Sequence, residues 1–200
     1  IAVSDTAISP VAKKIKAHDA IVLHTSGSVS ISTLKAEFDK CGVIYPVQTI
    51  SKNDVIDFGQ VPFCIEASDA FSLRKIKKLA LSISDNLSVM SSEKRKVLHL
   101  AAVIANNFSN HLFTLAADVL KKHKMDFSLL IPLIEQTAKK INSVSPSLAQ
   151  TGPAKRADKK IISEHLKMLS YNKSLQSLYA LLSKSIEQKN RKWKKILNKS

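Results

Sequence analysis

The sequence predicts an α/β region followed by an all-α region, and three observations carry that expectation. Over residues 1–90, short β-branched runs alternate with amphipathic segments. After residue 90 no strand pattern of comparable quality occurs, and apolar residues recur at helical spacing to the C-terminus. The 200 residues, 44% hydrophobic and 24% charged with four glycines, are a core-forming composition that excludes disorder and collagen. That length accommodates one large domain or two small ones, and the change of pattern places the division at 1–90 and 91–200.

Taken in order, strand-like runs stand at 1–3 (IAV), 20–25 (AIVLHT), 43–47 (VIYPV) and 63–66 (FCIE). Ser9 before Pro10 reads as an N-cap with proline at the first helical position, and the segment 32–40 stops at Gly42, read as the glycine that follows a helix end. Asp69 caps a stretch to about Ser84 in which Phe71, Ile76, Leu79, Ala80 and Ile83 share a face. Strand and helix in this alternation argue for βαβ units and a mainly parallel sheet. A long helix begins near Ser92, with Glu93 at its positive end, and runs to about His123. Its Val97, Ala101, Ile104, Phe108, Leu112, Leu115 and Val119 form a seam suited to burial. Further helices are expected at 127–142, 158–169 and 173–197, with Pro132 either delaying or kinking the first of them.

The formal charge is +15, and it is uneven: residues 1–90 hold 10 Lys+Arg against 9 Asp+Glu, residues 91–200 hold 21 against 7. Lysines spread along helical patterns describe a solvated face, and the same excess suits an acidic partner. Cys41 and Cys64 are too few for a disulfide framework and lie in apolar runs, which fits free thiols and a reducing cytoplasm. No apolar run approaches the roughly 20 residues that span a bilayer, so no membrane partner is expected.

Polar residues stand out in three places. On the long helix His99, Asn106 and Asn110 fall within about 40° of one another at 100° per residue. That stripe is either a satisfied polar strip or a ligand-facing one in which His99 serves as an acid. In the loop QTGPAKRAD, Gly152 and Pro153 constrain the backbone ahead of Arg156, whose guanidinium suits a carboxylate or phosphate, or is an ordinary surface arginine. The segment HTSGSVS at 24–30 follows an apolar strand, at the kind of strand end where open sheets bind ligands. Tyr45 and Pro46 end another strand. His165 shares a face with Asp158, or is simply core. The chain has no GxSxG, HExxH, CxxC or Walker loop, nor any GxGxxG turn, and no metal site is expected.

Together, HTSGS, YPVQT, PFCIEASD, KRKVLHLAAVIANNFSNHLF, LIPLIEQTAKKI and QTGPAKRAD resemble a family of bacterial Rossmann-like NADP-dependent oxidoreductases with a C-terminal helical domain long classed as of unknown function. That family is similar in architecture to pyrroline-5-carboxylate reductase, the coenzyme F420-dependent NADP oxidoreductases and the 6-phosphogluconate dehydrogenase group. The resemblance implies the second half of a Rossmann-like sheet plus a helical domain of the 6-phosphogluconate dehydrogenase C-terminal type, which often dimerises. It places Ser4, Asp5, His24, Ser26 and Gly27 on the NADP side. It makes His99, Asn107 and Asn110 the helix signature, with Asn106 beside them, and Gly152, Pro153 and Arg156 the substrate-facing loop. Tyr45 stands where relatives commonly have histidine, and Ala157 where many have glycine. Ile1 aligns with the fourth strand of a Rossmann unit, so the chain is expected to be part of a longer protein.

The expected function is hydride transfer between NADP(H) and a small C=O or C=N substrate. The alternative is a non-catalytic dimeric module with a basic surface. The tail KNRKWKKILNKS, with Trp193 among cations, suits nucleic acid, whereas docking of Trp193, Ile196 and Leu197 on the core makes it an ordinary terminal helix; nucleic acid is not the expected partner.

Overall fold

The computed structural model describes residues 1–16, 19–51 and 55–197, with side chains as far as residue 191. The chain forms two compact units, Ile1–His111 and Leu112–Ser200.

The first unit is built on a four-stranded sheet: β1 (Val22–His24), β2 (Cys41–Pro46), β3 (Phe63–Ala67) and β4 (Leu87–Val89), in that spatial order. β1 and β2 are parallel across α2 (Ser32–Lys35), and β3 and β4 are parallel across α3 (Ala70–Leu81). β2 and β3 are antiparallel, with Pro46 opposite Phe63. The sheet is therefore two parallel pairs joined by one reversal, an α/β architecture of the Rossmann-like kind. Its residues alternate between two cores as the pleat requires. Cys41, Val43, Tyr45 and Cys64 pack with Ile8 and Ala12 of α1 (Asp5–Ala12) and with Ile31 and Leu34. Ile65 packs on the opposite side with Ile76 and Ala80 of α3.

Several local expectations change. Residues 1–3 are not a strand, although the Ile1 nitrogen donates to the Leu23 carbonyl at 2.6 Å. The first helix begins at Asp5, with Ser4 as its N-cap residue, and holds Pro10 inside. The second is a single turn, and Gly42 is a strand residue: a Cβ there would run into the Glu66 carbonyl and the Ile76 side chain, because α3 lies close against β2. Asp69 does cap α3, accepting from the Ser72 amide at 2.8 Å. The buried face is Ser72, Ile76 and Ala80, whereas Phe71 is exposed with the cations of Lys40, Arg74 and Lys75 over its ring.

The long helix is α4 (Ser92–Ala102), a π-turn over Val103–Asn107, and α5 (Phe108–Lys122). Ser91 caps it, accepting from the Lys94 amide. Its apolar seam is not buried in the chain: Val97 is 67% exposed and Phe108 58%.

The second unit is helical: α6 (Ile131–Lys140), the single turns α7 (Pro146–Ala149) and α8 (Pro153–Arg156), α9 (Lys159–Met168) and α10 (Lys173–Leu197). Pro132 stands in the first turn of α6, behind a 3₁₀ turn over Phe127–Leu130, so the helix begins late and is not kinked. His165 Nδ1 and the Tyr179 hydroxyl lie 2.7 Å apart between α9 and α10, which gives that histidine a structural partner. The side chains of Trp193, Ile196 and Leu197, on which the reading of the tail depends, lie outside the described residues.

Candidate functional site

At the carboxyl end of β1 the chain turns through residues 25–30, and the turn is tied down from beneath. His24 is fully buried, and its Nδ1 accepts from the Ser26 amide at 3.2 Å. Burial, and then the nearby Arg95 guanidinium, push the His24 pKa down to about 4, so its imidazole is neutral. The Ser26 hydroxyl accepts from the amides of Ser28 (3.1 Å) and Val29 (3.0 Å), a local turn of the kind serine favours. The Ser28 hydroxyl donates to the Asp5 carboxylate at the start of α1, and that bond is the main reason the Asp5 pKa lies below the usual carboxylate value. The charge of His99 adds to the shift, which brings helix α4 into the same neighbourhood.

Arg95 holds this turn to the rest of the unit. Only 1% exposed, it donates from Nε to the Ser26 carbonyl at 3.1 Å, from one terminal nitrogen to Glu66 Oε2 at 2.6 Å, and from the other to the Val29 carbonyl. Glu66 also accepts from the Ser92 amide (3.0 Å) and hydroxyl (2.7 Å), while the Ser92 oxygen accepts from the Ile31 amide at 3.0 Å. The buried ion pair is thus compensated by neutral donors and acceptors on every side, as a buried charge requires. One network fixes the turn, β3 and the first turn of α4 relative to one another. Sequence reasoning missed both charged residues; nothing in a lone Glu and a lone Arg 29 positions apart marks them as partners.

Above the turn three motifs meet. The Tyr45 hydroxyl lies 3.3 Å from His99 Nδ1, with the rings edge-on at a centroid distance of 6.0 Å. Gly27 sits directly against this pair: a Cβ there would stand 2.8 Å from both His99 Nδ1 and Tyr45 Cζ. Glycine at this point is what lets the turn approach the two rings. Burial pushes the Tyr45 pKa up, so the phenol keeps its proton and can donate it. Tyr45, which the sequence marks as a strand end and as a departure from the histidine of relatives, therefore takes a place in the site.

Beside the pair opens a cavity of about 470 Å³, lined by Tyr45, Val47, Gln48 and Thr49 from the end of β2, and by His99 and residues 102, 103 and 105–107 of the long helix. Asn106 Nδ2 donates to the Thr49 hydroxyl at 2.6 Å. The expected stripe is only partly realised. His99, Asn106 and Asn107 line the cavity and Asn110 does not. A π-turn inserts one extra residue, so positions beyond it are turned back by roughly 100° relative to an unbroken α-helix.

The remaining expected residues fall as follows. Ser4 and Asp5 are exposed at the start of α1, Ser26 is half-buried, and His24 and Gly27 are buried. Asp5 keeps an ionised, exposed carboxylate that accepts from Ser28 and can accept from further hydroxyls. In the second unit, Gly152 has φ +99° and Pro153 opens α8, while Arg156 is exposed. It is Lys155 whose amine braces that loop, donating to the Gln150 carbonyl at 2.6 Å. Ala157 ends α8 with φ +57°, the left-handed region that suits the glycine of relatives. No helix among the described residues is long and apolar enough to cross a membrane.

The family described as "Domain of unknown function (DUF2520)" matches residues 61–186. The chain belongs to this family. Among solved structures it is similar to a Bacteroides fragilis protein named "putative NADP oxidoreductase", at 40% identity and TM-score 0.89 over 94% of this chain and 73% of that one. It is also similar to a Thermotoga maritima protein, at 28% identity and TM-score 0.79 over 96% of this chain and 78% of that one. No curated protein matches the chain. The DUF2520 chain thus has a Rossmann-like α/β region followed by a helical one, in a family related to NADP-dependent oxidoreductases.

Proposed function

We propose that the protein is an NADP-dependent oxidoreductase that moves a hydride between NADP(H) and a small substrate bearing C=O or C=N. One observation carries the reading: Gly27, Tyr45 and His99, from three separate motifs, converge beside a cavity at the carboxyl ends of two parallel strands. The name of the 40%-identical Bacteroides fragilis relative supports it. The cofactor, when bound, supplies the hydride. The chain's own residues do the rest. Ser4, Asp5, Ser26 and Gly27 would hold the cofactor, with His24 bracing the turn from below. Asn106 and Asn107 orient the substrate. A substrate carbonyl or imine in the cavity would take the proton that its reduction requires from the Tyr45–His99 pair, with His99 as donor directly or through the phenol. Gly152, Pro153, Arg156 and Asn110 are substrate-facing on the resemblance alone. Saturable NADPH binding with a thermal shift is expected of the full-length protein, with the upstream half of the sheet in place; absence of both there refutes the reading.

A homodimer belongs to the same proposal. Val97, Ile104 and Phe108 repeat along one helix and are each more than half exposed in the single chain, an apolar stripe that association would cover. A dimer mass in sedimentation is expected, with Phe108→Glu shifting it toward the monomer; a wild-type monomer at high concentration refutes it.

A further inference from the structure

We propose that helix α3 docks the protein on an anionic lipid bilayer, lying flat on the headgroups with Phe71 and Leu81 entering the interface.

The outward ridge of α3 is the first ground. The helix is fixed to the sheet by Ser72, Ile76 and Ala80. Within about 40° of the opposite direction, at 100° per residue, stand Phe71, Arg74, Lys78 and Leu81, all of them exposed. Phe71 and Leu81 each leave 45% of their surface to solvent. Charge is the second ground. Arg74, Lys75, Lys77 and Lys78 give this 12-residue helix four cations, and it has no acidic residue. Lys40, just ahead of β2, adds another: its amine lies 5.6 Å from the centre of the Phe71 ring, with Lys75 at 5.5 Å and Arg74 at 6.0 Å. None of these five forms an ion pair among the described residues. Asp39, next to Lys40 in sequence, and Asp69, the N-cap of α3, leave the cations in excess.

The two grounds together select the partner. Cations alone would serve any polyanion, nucleic acid included. Leu81 has no use for a phosphodiester backbone, and a ridge whose other face is fixed to a sheet cannot be enclosed by a partner's groove as a free helix is. An anionic bilayer meets every part: phosphates take the cations, the lysine stems lie along the surface, and the ring and the leucine reach the acyl boundary. The lack of a helix long and apolar enough to cross a membrane among the described residues has no bearing on one that lies flat.

Trp193 is the one tryptophan in the chain, so Phe71→Trp in a Trp193→Phe background reports on the ridge alone. In the full-length protein its emission is expected to shift to the blue, and to be quenched by brominated lipid, on vesicles of phosphatidylcholine with phosphatidylglycerol. Vesicles of phosphatidylcholine alone are expected to leave it unchanged. Co-sedimentation with the mixed vesicles at physiological salt uses the natural Phe71 and Trp193. Replacing Arg74, Lys75 and Lys78 by Gln is expected to weaken it by on the order of a hundredfold. Replacing the exposed Lys159, Lys160 and Lys167 of the second unit by Gln is expected to weaken it by no more than about twofold. Both triple variants are confirmed folded by circular dichroism. Equal weakening by the two shows only the general attraction of a chain of charge +15 and overturns the proposal. So does an unshifted reporter with the mixed vesicles, or a reporter that responds to oligothymidylate or polyglutamate and not to vesicles.

Discussion

Replacing His24 by asparagine is expected to remove about 2 kcal/mol of the stability that the protein loses between pH 7 and pH 5. The imidazole is buried, and its pKa falls from 6.5 to about 4 in the folded chain. Below pH 6.5 the unfolded chain therefore takes up a proton that the folded chain refuses. The native state is at full strength above that point and loses stability as pH falls toward 4, where the folded imidazole is protonated in turn. With those two values, the linkage between pH 7 and pH 5 is worth about 2 kcal/mol, of a limiting value near 3 kcal/mol. Asparagine retains an oxygen able to accept from the Ser26 amide and has no titration in this range. Urea unfolding of both proteins at pH 7, 6 and 5 isolates the effect, because every other titrating group is common to the two. Parallel loss of stability in wild type and variant would show that His24 is not the buried neutral base described here.

Arg95→Met should destabilise the protein by about 3–5 kcal/mol, read as a shift in urea midpoint, because it strands the Glu66 carboxylate; Arg95→Met combined with Glu66→Gln should recover part of the loss. Gly27→Ala should cost about 1–3 kcal/mol in thermal unfolding and separate Tyr45 from His99, whereas an unchanged melting temperature and an intact contact by NMR would contradict the close approach. Ala157→Gly should raise stability by about 0.5–1 kcal/mol by relieving the left-handed φ of +57° that ends α8, and a lower melting temperature would refute that account.

What could be read from the sequence was what neighbouring residues decide. The cap at Asp69, and the β-branched runs of β1 to β3, need only a few adjacent residues to declare themselves. β4 escaped because its three residues carry one polar and two apolar side chains and are largely exposed. Gly42 was misread because a glycine that ends a helix and one that makes room for a crossing helix look alike until α3 is in place. On α3 periodicity finds the buried Ile76 and Ala80 but also counts Phe71, which meets Lys40, Arg74 and Lys75 at the surface instead. In the site, His99, Asn106, Asn107 and Gly27 were legible as unusual residues in unusual places. Tyr45 was read as a departure from relatives, and only the 3.3 Å contact to His99 turns that departure into a working part.

The π-turn and the Arg95 network together explain why the site lies where it does. An unbroken α-helix from Ser92 would keep one stripe, placing His99, Asn106 and Asn110 in line. The extra residue over 103–107 lets Asn106 reach Thr49 while Asn107 also faces the cavity, and carries Asn110 off it. That geometry is useful only if α4 is held at a fixed height above the β1 turn, because Gly27 approaches the two rings so closely that a Cβ there would stand 2.8 Å from both His99 Nδ1 and Tyr45 Cζ. Arg95, one turn before His99, supplies the hold by gripping the Ser26 and Val29 carbonyls from the helix itself. It follows that variants of Arg95 that still fold should weaken binding at the cavity without touching it, and should do so by loosening the Tyr45–His99 contact; a folded Arg95 variant with that contact intact by NMR would show that the π-turn positions the site unaided.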